Sequence, residues 1–423
     1  MKPVSHIPHC GDIFGGGDSC RASTLSDIRH SAASNTSNHD GRSRLSAAEK
    51  ADESGILIAR PGIQLYRPLL DFPKSRLIDT CKVNKVRFVV DKSNFDCKLT
   101  KRNTIRWLLQ NAKLPRALQE ESIVRLSATA AAQDEIRQQK VEKMLAATHL
   151  ESFDPRSGML RISTPRNFPF LHDAGERDTA RWLFELLQVV VPTSDASLTL
   201  QRMGVVVRWM FPSLPGSSSV PFYSTGSTTW AGHGVHIVCG KSGEMWTWRL
   251  SRQPLRAFEA PEARFTPAQD SESSSTSQDI WSKWTKWDGR YWIRICTRRP
   301  QDIDSLSVHA LDPFRLRKWA SRSKYKELLH DAAPGGIRFT LPVIVKGQQP
   351  RALPTLNLGS LSGPENKNIY QMFNAKYNKA YSMIRDDEEE RAYNKAQDNE
   401  LGWEVRYKDV TKTLRLLGTT KKG

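Results

Sequence analysis

A short, strongly basic stretch holds the residues best suited to chemistry. Between positions 82 and 116 there are ten lysines and arginines and only two acidic residues. Arg102 and Arg106 are four residues apart, so on a helix they would share one face and could make bidentate contacts with phosphates. The short polar side chains of residues 91–96 (DKSNFD) precede them, in the kind of loop where ligands usually bind. The stretch favours a polyanionic ligand; a capped helix with a solvated basic face is the alternative.

A candidate nucleotide site near the start of the chain comprises Gly15, Gly16, Gly17, Asp18 and Ser19. These residues resemble the Ser-Gly-Gly-x-Asp-Ser loop with which N-type ATP pyrophosphatases hold the phosphates of ATP. Glycines let backbone N–H groups approach a polyphosphate, but the loop works only between a buried strand and a packed helix. The preceding residues (VSHIPHCGD) are polar, and those that follow lack apolar periodicity. We therefore expect a degenerate cofactor site here and not a working ATP loop.

The basic stretch is positioned by a predicted strand and a predicted helix. Residues 87–91 (RFVVD) have the composition of a strand that ends at Asp91. Residues 99–115 predict a helix with Thr100 as N-cap and Pro115 as terminator. The apolar side of this helix, which we expect to dock on the core, consists of Ile105, Leu108 and Leu109.

Further helices and paired strands are predicted along the rest of the chain. Apolar periodicity indicates helices at residues 73–86, 119–149, 179–192 and 197–212. The expected core stripe of the long second helix is Ile123, Leu126, Ile136, Val141, Met144 and Leu145. Strand patterns occur at residues 234–240, 244–254 and 284–295, the last being a hairpin whose Asp288-Gly289 turn suits type I′ geometry.

Composition limits the classes of function. Lysine and arginine outnumber aspartate and glutamate by 63 to 45, which gives a net charge of +18 and a pI near 9.7. An excess of positive charge favours binding of a polyanionic partner, and charge that only keeps the protein soluble is the alternative. The six cysteines form no Cys-x-x-Cys pair, which favours a reducing compartment. The sequence shows neither an apolar run of membrane-spanning length nor the pattern of a leader peptide at its start.

Two further groups of residues are candidates for a metal site and for a base-stacking surface, and the sequence supports them less well. The histidines and cysteines within 233–239 and within 6–10 do not form closed four-ligand sets, so no metal site is predicted. The four tryptophans within 281–292 alternate with basic residues and could stack on bases. We favour the alternative that they pack on the face of a sheet.

Three short motifs in order resemble those of the tRNA(Ile)-lysidine synthases, particularly the fungal ones. They are Arg-Pro-Leu-Leu at 67–70, Asp-x-Ser-Asn-x-Asp at 91–96 and Arg-Asn-x-Ile-Arg at 102–106. Three elements in order within 40 residues are far more specific than any one of them. Weaker similarity in the segments WDGRYWIRI, PGGIRFTLPVIV and WEVRYKDV extends the resemblance to about residue 410.

The resemblance implies an ATP-dependent ligase that modifies tRNA. Members of this family use ATP, with Mg²⁺, to adenylylate the wobble cytidine of an isoleucine tRNA, and the amine of L-lysine then displaces AMP to form lysidine. By their positions in the motifs, Asp91 and Asn94 would be catalytic and would orient the amine or the base. Binding of tRNA or phosphate would fall to Arg67, Lys101, Arg102, Asn103 and Arg106.

The resemblance also implies a domain organisation. The family's nucleotide loop lies well over a hundred residues before the Arg-Pro-Leu-Leu motif, whereas Gly15 precedes Arg67 by only 52 residues. We therefore expect an α/β and α+β multidomain fold that begins with the truncated end of a nucleotide-binding α/β domain. The expected segments are a flexible lead-in (1–54), a remnant of the PP-loop ATPase domain with the basic tRNA-facing helix (55–118), a helical then β-rich domain (119–269), a linker (270–279) and a mixed α+β domain (280–423).

The expected partner is isoleucine tRNA, and no membrane is expected. A homo-oligomer is one further expectation, and a separate partner that supplies the missing ATP-binding domain is the other. A non-catalytic tRNA-binding remnant is the alternative function. The family resemblance implies a mitochondrial location, with the cytoplasm as the alternative.

Overall fold

A computed structural model of the protein describes residues 4–6, 56–59, 64–165, 170–192, 198–211, 229–255, 261–268, 280–298, 300–312, 323–347, 349–359 and 401–419. The chain divides into two compact units. The first comprises Met1–His6 and Gln64–Val141, and the second comprises Ile7–Ile63 and Glu142–Gly423. The α+β multidomain class is confirmed. The division differs from the five predicted segments, because strands from both sides of residues 270–279 pair within one sheet of the second unit.

The first unit consists of helices and turns with one small sheet, in which β1 (Val4–His6) pairs antiparallel with β3 (Gln64–Tyr66). Its helices are α1 (Lys74–Val83), α2 (Lys101–Asn111) and α3 (Glu120–Ala146), the last of which continues into the second unit. Two 3-10 turns, Lys92–Phe95 and Arg116–Leu118, precede α2 and α3. Within the described ranges, none of the helices of the chain is both long and apolar enough to cross a membrane.

The helix predicted at 99–115 is confirmed as α2. Thr100 is its N-cap, because Oγ1 of Thr100 accepts a hydrogen bond from the backbone N–H of Asn103 at 3.2 Å. The strand predicted at 87–91 is wrong, since these residues form no ladder and Val89 is 96% exposed. No described strand pairs with this segment, and a strand needs a neighbour for its backbone hydrogen bonds.

The apolar anchor predicted for α2 is also wrong. Ile105 is 56% exposed and Leu108 is 37% exposed, while Leu109 is half-buried. In α3 the stripe divides into an exposed half and a buried half, which are Ile123, Leu126 and Ile136 and then Val141, Met144 and Leu145. Periodicity identifies the apolar side of a helix, but it does not say whether another element covers that side.

The second unit contains three β-sheets, the largest with six strands. In spatial order these are β18 (Gly418–Thr419), β4 (His149–Asp154), β5 (Met159–Pro165), β8 (Met245–Arg252), β7 (Val235–Ser242) and β6 (Thr229–Gly232). Helix α4 (Phe170–Val190) lies against β5 and β8, and α5 (Leu200–Met210) packs on α4. The predicted helices and the predicted β7–β8 pairing are thereby confirmed.

Two five-stranded sheets complete the second unit. One contains β16 (Leu358–Gly359), β15 (Gln349–Leu353), β14 (Pro342–Lys346), β13 (Leu306–Ala310) and β9 (Ala263–Arg264). The other contains β10 (Ile280–Trp281), β12 (Tyr291–Thr297), β17 (Gly402–Tyr407) and β2 (Leu57–Ile58), with β11 (Thr285–Trp287) also paired to β12. Short helices α6 (Pro300–Asp304), α7 (Ser323–Ala332) and α8 (Thr411–Leu416) connect the strands.

The hairpin predicted at 284–295 is confirmed as β11 and β12. Its turn residues Asp288 and Gly289 have φ values of 47° and 58°, and a type I′ turn requires positive φ at both.

A fully buried arginine next to this turn connects the three sheets. Nε of Arg290 donates to Asp288 Oδ2 at 2.6 Å. Its Nη2 donates to the carbonyl of Thr340, just before β14, at 2.7 Å, and its Nη1 donates to that of Ser157, between β4 and β5, at 3.4 Å. Because a buried charge needs an ion pair and hydrogen bonds, Arg290 fixes the relative positions of these segments.

Candidate nucleic-acid interface

The loop at residues 91–96 is held by the side chain of its first residue. Asp91 is the N-cap of the 3-10 turn Lys92–Phe95, and its Oδ1 accepts a hydrogen bond from the backbone N–H of Ser93 at 2.9 Å. Hydrogen bonds from the side chain and the backbone of Ser93 lower the pKa of the Asp91 carboxyl below its usual value. The exposed carboxylate is therefore charged at neutral pH and has acceptor capacity to spare.

A buried amide attaches this loop to α2. Asn103 is 6% exposed, and its Nδ2 donates to the carbonyls of Ser93 and Asp96, each at 3.0 Å. Both amide protons thus face the loop and not the solvent. The structure gives Asn103 a positioning role, because its amide joins α2 to two carbonyls of the loop. Its predicted contact with phosphate stays a prediction.

Arg106 and Asn94 meet on the same side of the loop. Nη1 of Arg106 donates to Asn94 Oδ1 at 3.3 Å, and Asn94 Nδ2 donates to the carbonyl of Asp91 at 3.2 Å. Asp91, Asn94, Asn103 and Arg106, which are up to 15 positions apart in sequence, are thereby brought together. Arg106 is half-buried and has no ion pair with a described carboxylate, so its positive charge remains uncompensated.

The other predicted binding residues lie beside this group or on a separate segment. Lys101 and Arg102 are exposed in the first turn of α2, which contains no acidic residue. A helix N-terminus attracts anions, so two cations at this position add to a field that already favours a phosphate. Arg67 is half-buried at the end of β3, at a distance along the chain from the loop and α2.

Sequence reasoning missed the part played by Ser93. Its N–H donates to Asp91 and its carbonyl accepts from Asn103, so its backbone joins both halves of the site. The Asp-x-Ser pattern is typical of an Asx-turn, in which an aspartate accepts from the backbone two residues later. That local pattern could have located the turn, although not the buried amide that binds it.

The described part of the first unit lacks the glycine-rich element with which a PP-loop holds the phosphates of ATP. Residues 64–141 contain no glycine, so they cannot form the flexible backbone cradle that such a loop uses. The degenerate candidate Gly15–Ser19 lies outside the described residues. No group of three or more metal-ligating side chains occurs among the residues that the structure describes. We therefore assign no chemical step through ATP or a metal to the residues of this site.

The tryptophans within 281–292 occupy two environments. Trp287 is fully buried, as expected for packing on a sheet. Trp281 and Trp284 lie under the guanidinium of Arg294, at 4.4 and 4.9 Å from the ring centroids, and Arg406 lies 4.2 Å from Trp284. The ring faces toward these arginines are used in cation–π contacts within the protein. Arg406 was not predicted, because it follows this segment by more than 100 residues.

Comparison with known proteins places the loop and α2 in a recognised domain. A family model described as the PP-loop domain matches residues 38–112, which include the loop at 91–96 and the whole of α2. The matched segment covers less than a fifth of the chain.

Two curated relatives share a name. The "Probable tRNA(Ile)-lysidine synthase" of Schizosaccharomyces pombe is 26% identical over 294 residues, which are 69% of this chain and 57% of that protein. The "tRNA(Ile)-lysidine synthase" of Rhodopseudomonas palustris is 37% identical over 101 residues, or 23% of this chain and 29% of that protein. The matches thus span little more than half of the first relative and less than a third of the second. Together with the order of the three motifs, they show that the chain is similar to the tRNA(Ile)-lysidine synthases and contains a segment of their PP-loop domain.

Proposed function

We propose that the chain acts in tRNA modification, as part of an ATP-dependent ligase that joins L-lysine to the wobble cytidine of isoleucine tRNA. The observation that carries the proposal is the loop and helix at 91–106, where an ionised carboxylate, an amide and several cations converge on one surface. The printed names of the two relatives support the substrate class. The PP-loop match supports the use of ATP, and we propose Mg²⁺ as its companion.

The geometry supports distinct roles for the residues of the site. The Asp91 carboxylate, charged and exposed, would accept hydrogen bonds from the ammonium of lysine or the amino group of cytidine. Asn94 would fix the side chain of Arg106 and the loop backbone. Lys101, Arg102 and Arg106 would neutralise tRNA phosphates. Orientation and charge stabilisation are the main contributions a protein makes when ATP supplies the leaving group.

A second candidate function is tRNA binding without catalysis. It is favoured by the absence of glycine from residues 64–141, which leaves the ATP phosphates to be held elsewhere. In the first proposal they would be held by residues outside the described ranges, by a second copy of the chain or by a separate polypeptide.

Lysine incorporation tests the first proposal against the second. Purified chain would be incubated with ATP, Mg²⁺, labelled lysine and an unmodified isoleucine tRNA whose wobble base is cytidine. The matched control is the same tRNA with uridine at the wobble position. We expect label to enter only the first tRNA. Binding of both tRNAs without incorporation would reject catalysis by this chain and support the binding function.

The role of the cations is tested by the salt dependence of tRNA binding. Arg102→Ala and Arg106→Ala should each weaken binding. Each should also make the negative slope of log K against log salt shallower by about 1, because each arginine releases counterions from one phosphate. Arg125→Ala, on the exposed surface of α3, is the control and should leave the slope unchanged. Unchanged affinity and slope in the first two variants would remove the phosphate role.

A further inference from the structure

The six-stranded sheet of the second unit has one apolar face and one polar face. Leu160 and Ile162 on β5 and Trp248 and Leu250 on β8 are buried. Side chains alternate along a strand, so the residues between them point to the opposite face. On that face lie Arg161 and Ser163 of β5, Thr247 and Arg249 of β8, and His236 and Val238 of β7.

Two arginines are neighbours on the polar face. Arg161 and Arg249 are directly opposite each other in the antiparallel pair β5–β8. Like charges at such positions, about 5 Å apart at Cβ, destabilise a sheet. No described carboxylate forms an ion pair with either guanidinium, and Nε of Arg249 has no acceptor among the described residues. The repulsion is therefore uncompensated within the described protein.

The groups around the arginine pair are mainly hydrogen-bond donors. Glu151 is exposed at the irregularity in β4, next to Ser152, which is opposite Arg161, and it forms no described ion pair with either arginine. His236 lies on β7, on the strand next to Arg249. Burial, and then the charge of Arg249, lower the pKa of His236, so it is neutral at pH 7 and carries one N–H donor. In the adjacent row of the sheet, the half-buried Thr247 is opposite Ser163, which is buried, so only Thr247 adds a hydroxyl to the accessible part of this face. A patch of this composition suits an anion with several oxygen acceptors.

We propose that this face of the sheet is a second RNA-binding site, at which Arg161 and Arg249 hold the phosphodiester backbone. Guanidinium groups match phosphate geometry, and two of them on adjacent strands can share one phosphate or bind two in succession. A polyanionic backbone fits a chain with a net charge of +18 better than free phosphate does. The site does not depend on lysine ligation; only the identification of the RNA as tRNA rests on the proposed function.

The test compares tRNA binding by the full chain and by the double variant Arg161→Gln/Arg249→Gln, without ATP or lysine. Glutamine keeps a polar side chain and removes the charge. The negative slope of log K against log salt should become shallower by about 1.5 to 2, because two phosphate contacts are lost. Arg264→Gln is the matched control, since this arginine is 82% exposed on β9 of another sheet. An equal change in the control, or no change in the double variant, would overturn the proposal.

Thermal unfolding separates RNA binding from a structural role. Removal of the cross-strand repulsion should leave the Tm of the free double variant unchanged or higher. The increase in Tm on addition of tRNA should be smaller than for the unchanged protein. A lower Tm in the absence of RNA would show that the arginines serve stability and would reject the site. Lysine incorporation is measured separately, so its failure would leave this result intact.

Discussion

At the scale of single residues, the position of the polar loop depends on one amide. Asn103 is the most buried polar group described in the first unit, and it donates to two carbonyls of the loop that also accept backbone N–H groups. The residues expected to touch substrate, Asp91 and Asn94, are both exposed. The geometry of Asp91 and Asn94 therefore depends on Asn103, whose amide faces the loop and not the expected ligand.

Replacement of that amide should release the loop. Asn103→Ala removes the two hydrogen bonds that join α2 to the carbonyls of Ser93 and Asp96, so we expect a loss of about 1–3 kcal/mol in the free energy of unfolding and weaker tRNA binding. Asn111→Ala is the control on the same helix, because the Asn111 amide donates only to the Trp107 carbonyl and is exposed. Its expected effect is within about 0.5 kcal/mol. Urea unfolding and tRNA titration measure both; equal losses would contradict the role given to Asn103.

At the scale of elements, features that adjacent residues determine are predicted correctly from the sequence, and features that depend on residues far along the chain are not. The Thr100 cap and the Asp288-Gly289 turn are encoded by adjacent residues, so the sequence predicted both. The strand at 87–91 depended on a partner strand, and the apolar side of α2 depended on a covering element. Neither partner is visible in a local pattern. The same holds for Asn103, whose type suits a surface contact as well as a buried one.

The turn between β4 and β5 allows a prediction about close packing. Gly158 has a φ of 67°, and a Cβ there would lie 2.7 Å from Tyr407 Oη and 3.1 Å from Arg290 Nη1. Gly243, in the turn between β7 and β8, has a φ of 56° and no atom within 4 Å of such a Cβ. Gly243→Ala should cost only the left-handed backbone strain, about 1–2 kcal/mol.

Gly158→Ala adds a steric clash to the same strain. We expect a further loss of about 1–3 kcal/mol, since the clash involves side chains that are fixed by packing. The difference in the free energy of unfolding between the two variants, measured by chemical denaturation, isolates the contact. Equal losses would mean that the Tyr407 ring moves aside freely.

At the scale of the whole molecule, the two units differ in how completely they bury their apolar side chains. The second unit has a continuous core, which includes the cluster around Leu341, Val343 and Val345. In the first unit apolar residues such as Phe95, Leu99 and Leu126 are more than half exposed. The sequence pattern identified apolar helix faces in both units, but it could not show which of them another element would cover.

A buried lysine in the second unit makes its stability depend on pH. Lys408 is 5% exposed and donates to the carbonyls of Gln188 and Val191, at the C-terminal end of α4. Burial, and then the charges of Arg290 and Lys286, lower the pKa of Lys408 to about 7. An unfolded lysine titrates near 10.4. Between these values the unfolded state binds more protons than the folded state, so stability rises with pH from about 7 to about 10.

Lys408→Met should remove this rise. The free energy of unfolding would be measured by urea denaturation at intervals between pH 7 and 10, and the slope of the variant compared with that of the unchanged protein. Lys412→Met, an exposed position on α8, should retain the slope. The same slope in all three proteins would show that Lys408 is charged in the folded state throughout this range.

The buried Arg290 has a consequence for how the protein is made. Its acceptors at Ser157 and Thr340 lie 133 and 50 positions away along the chain, and the Tyr407 hydroxyl reaches the carbonyl of Val189 across 218 positions. During synthesis β4, β5, β7 and β8 can pair early, whereas β2 must wait for its described partner β17. Loops of this length close slowly. The contacts that join the three sheets thus form only when most of the second unit has been synthesised, and the surfaces that they bury are exposed until then.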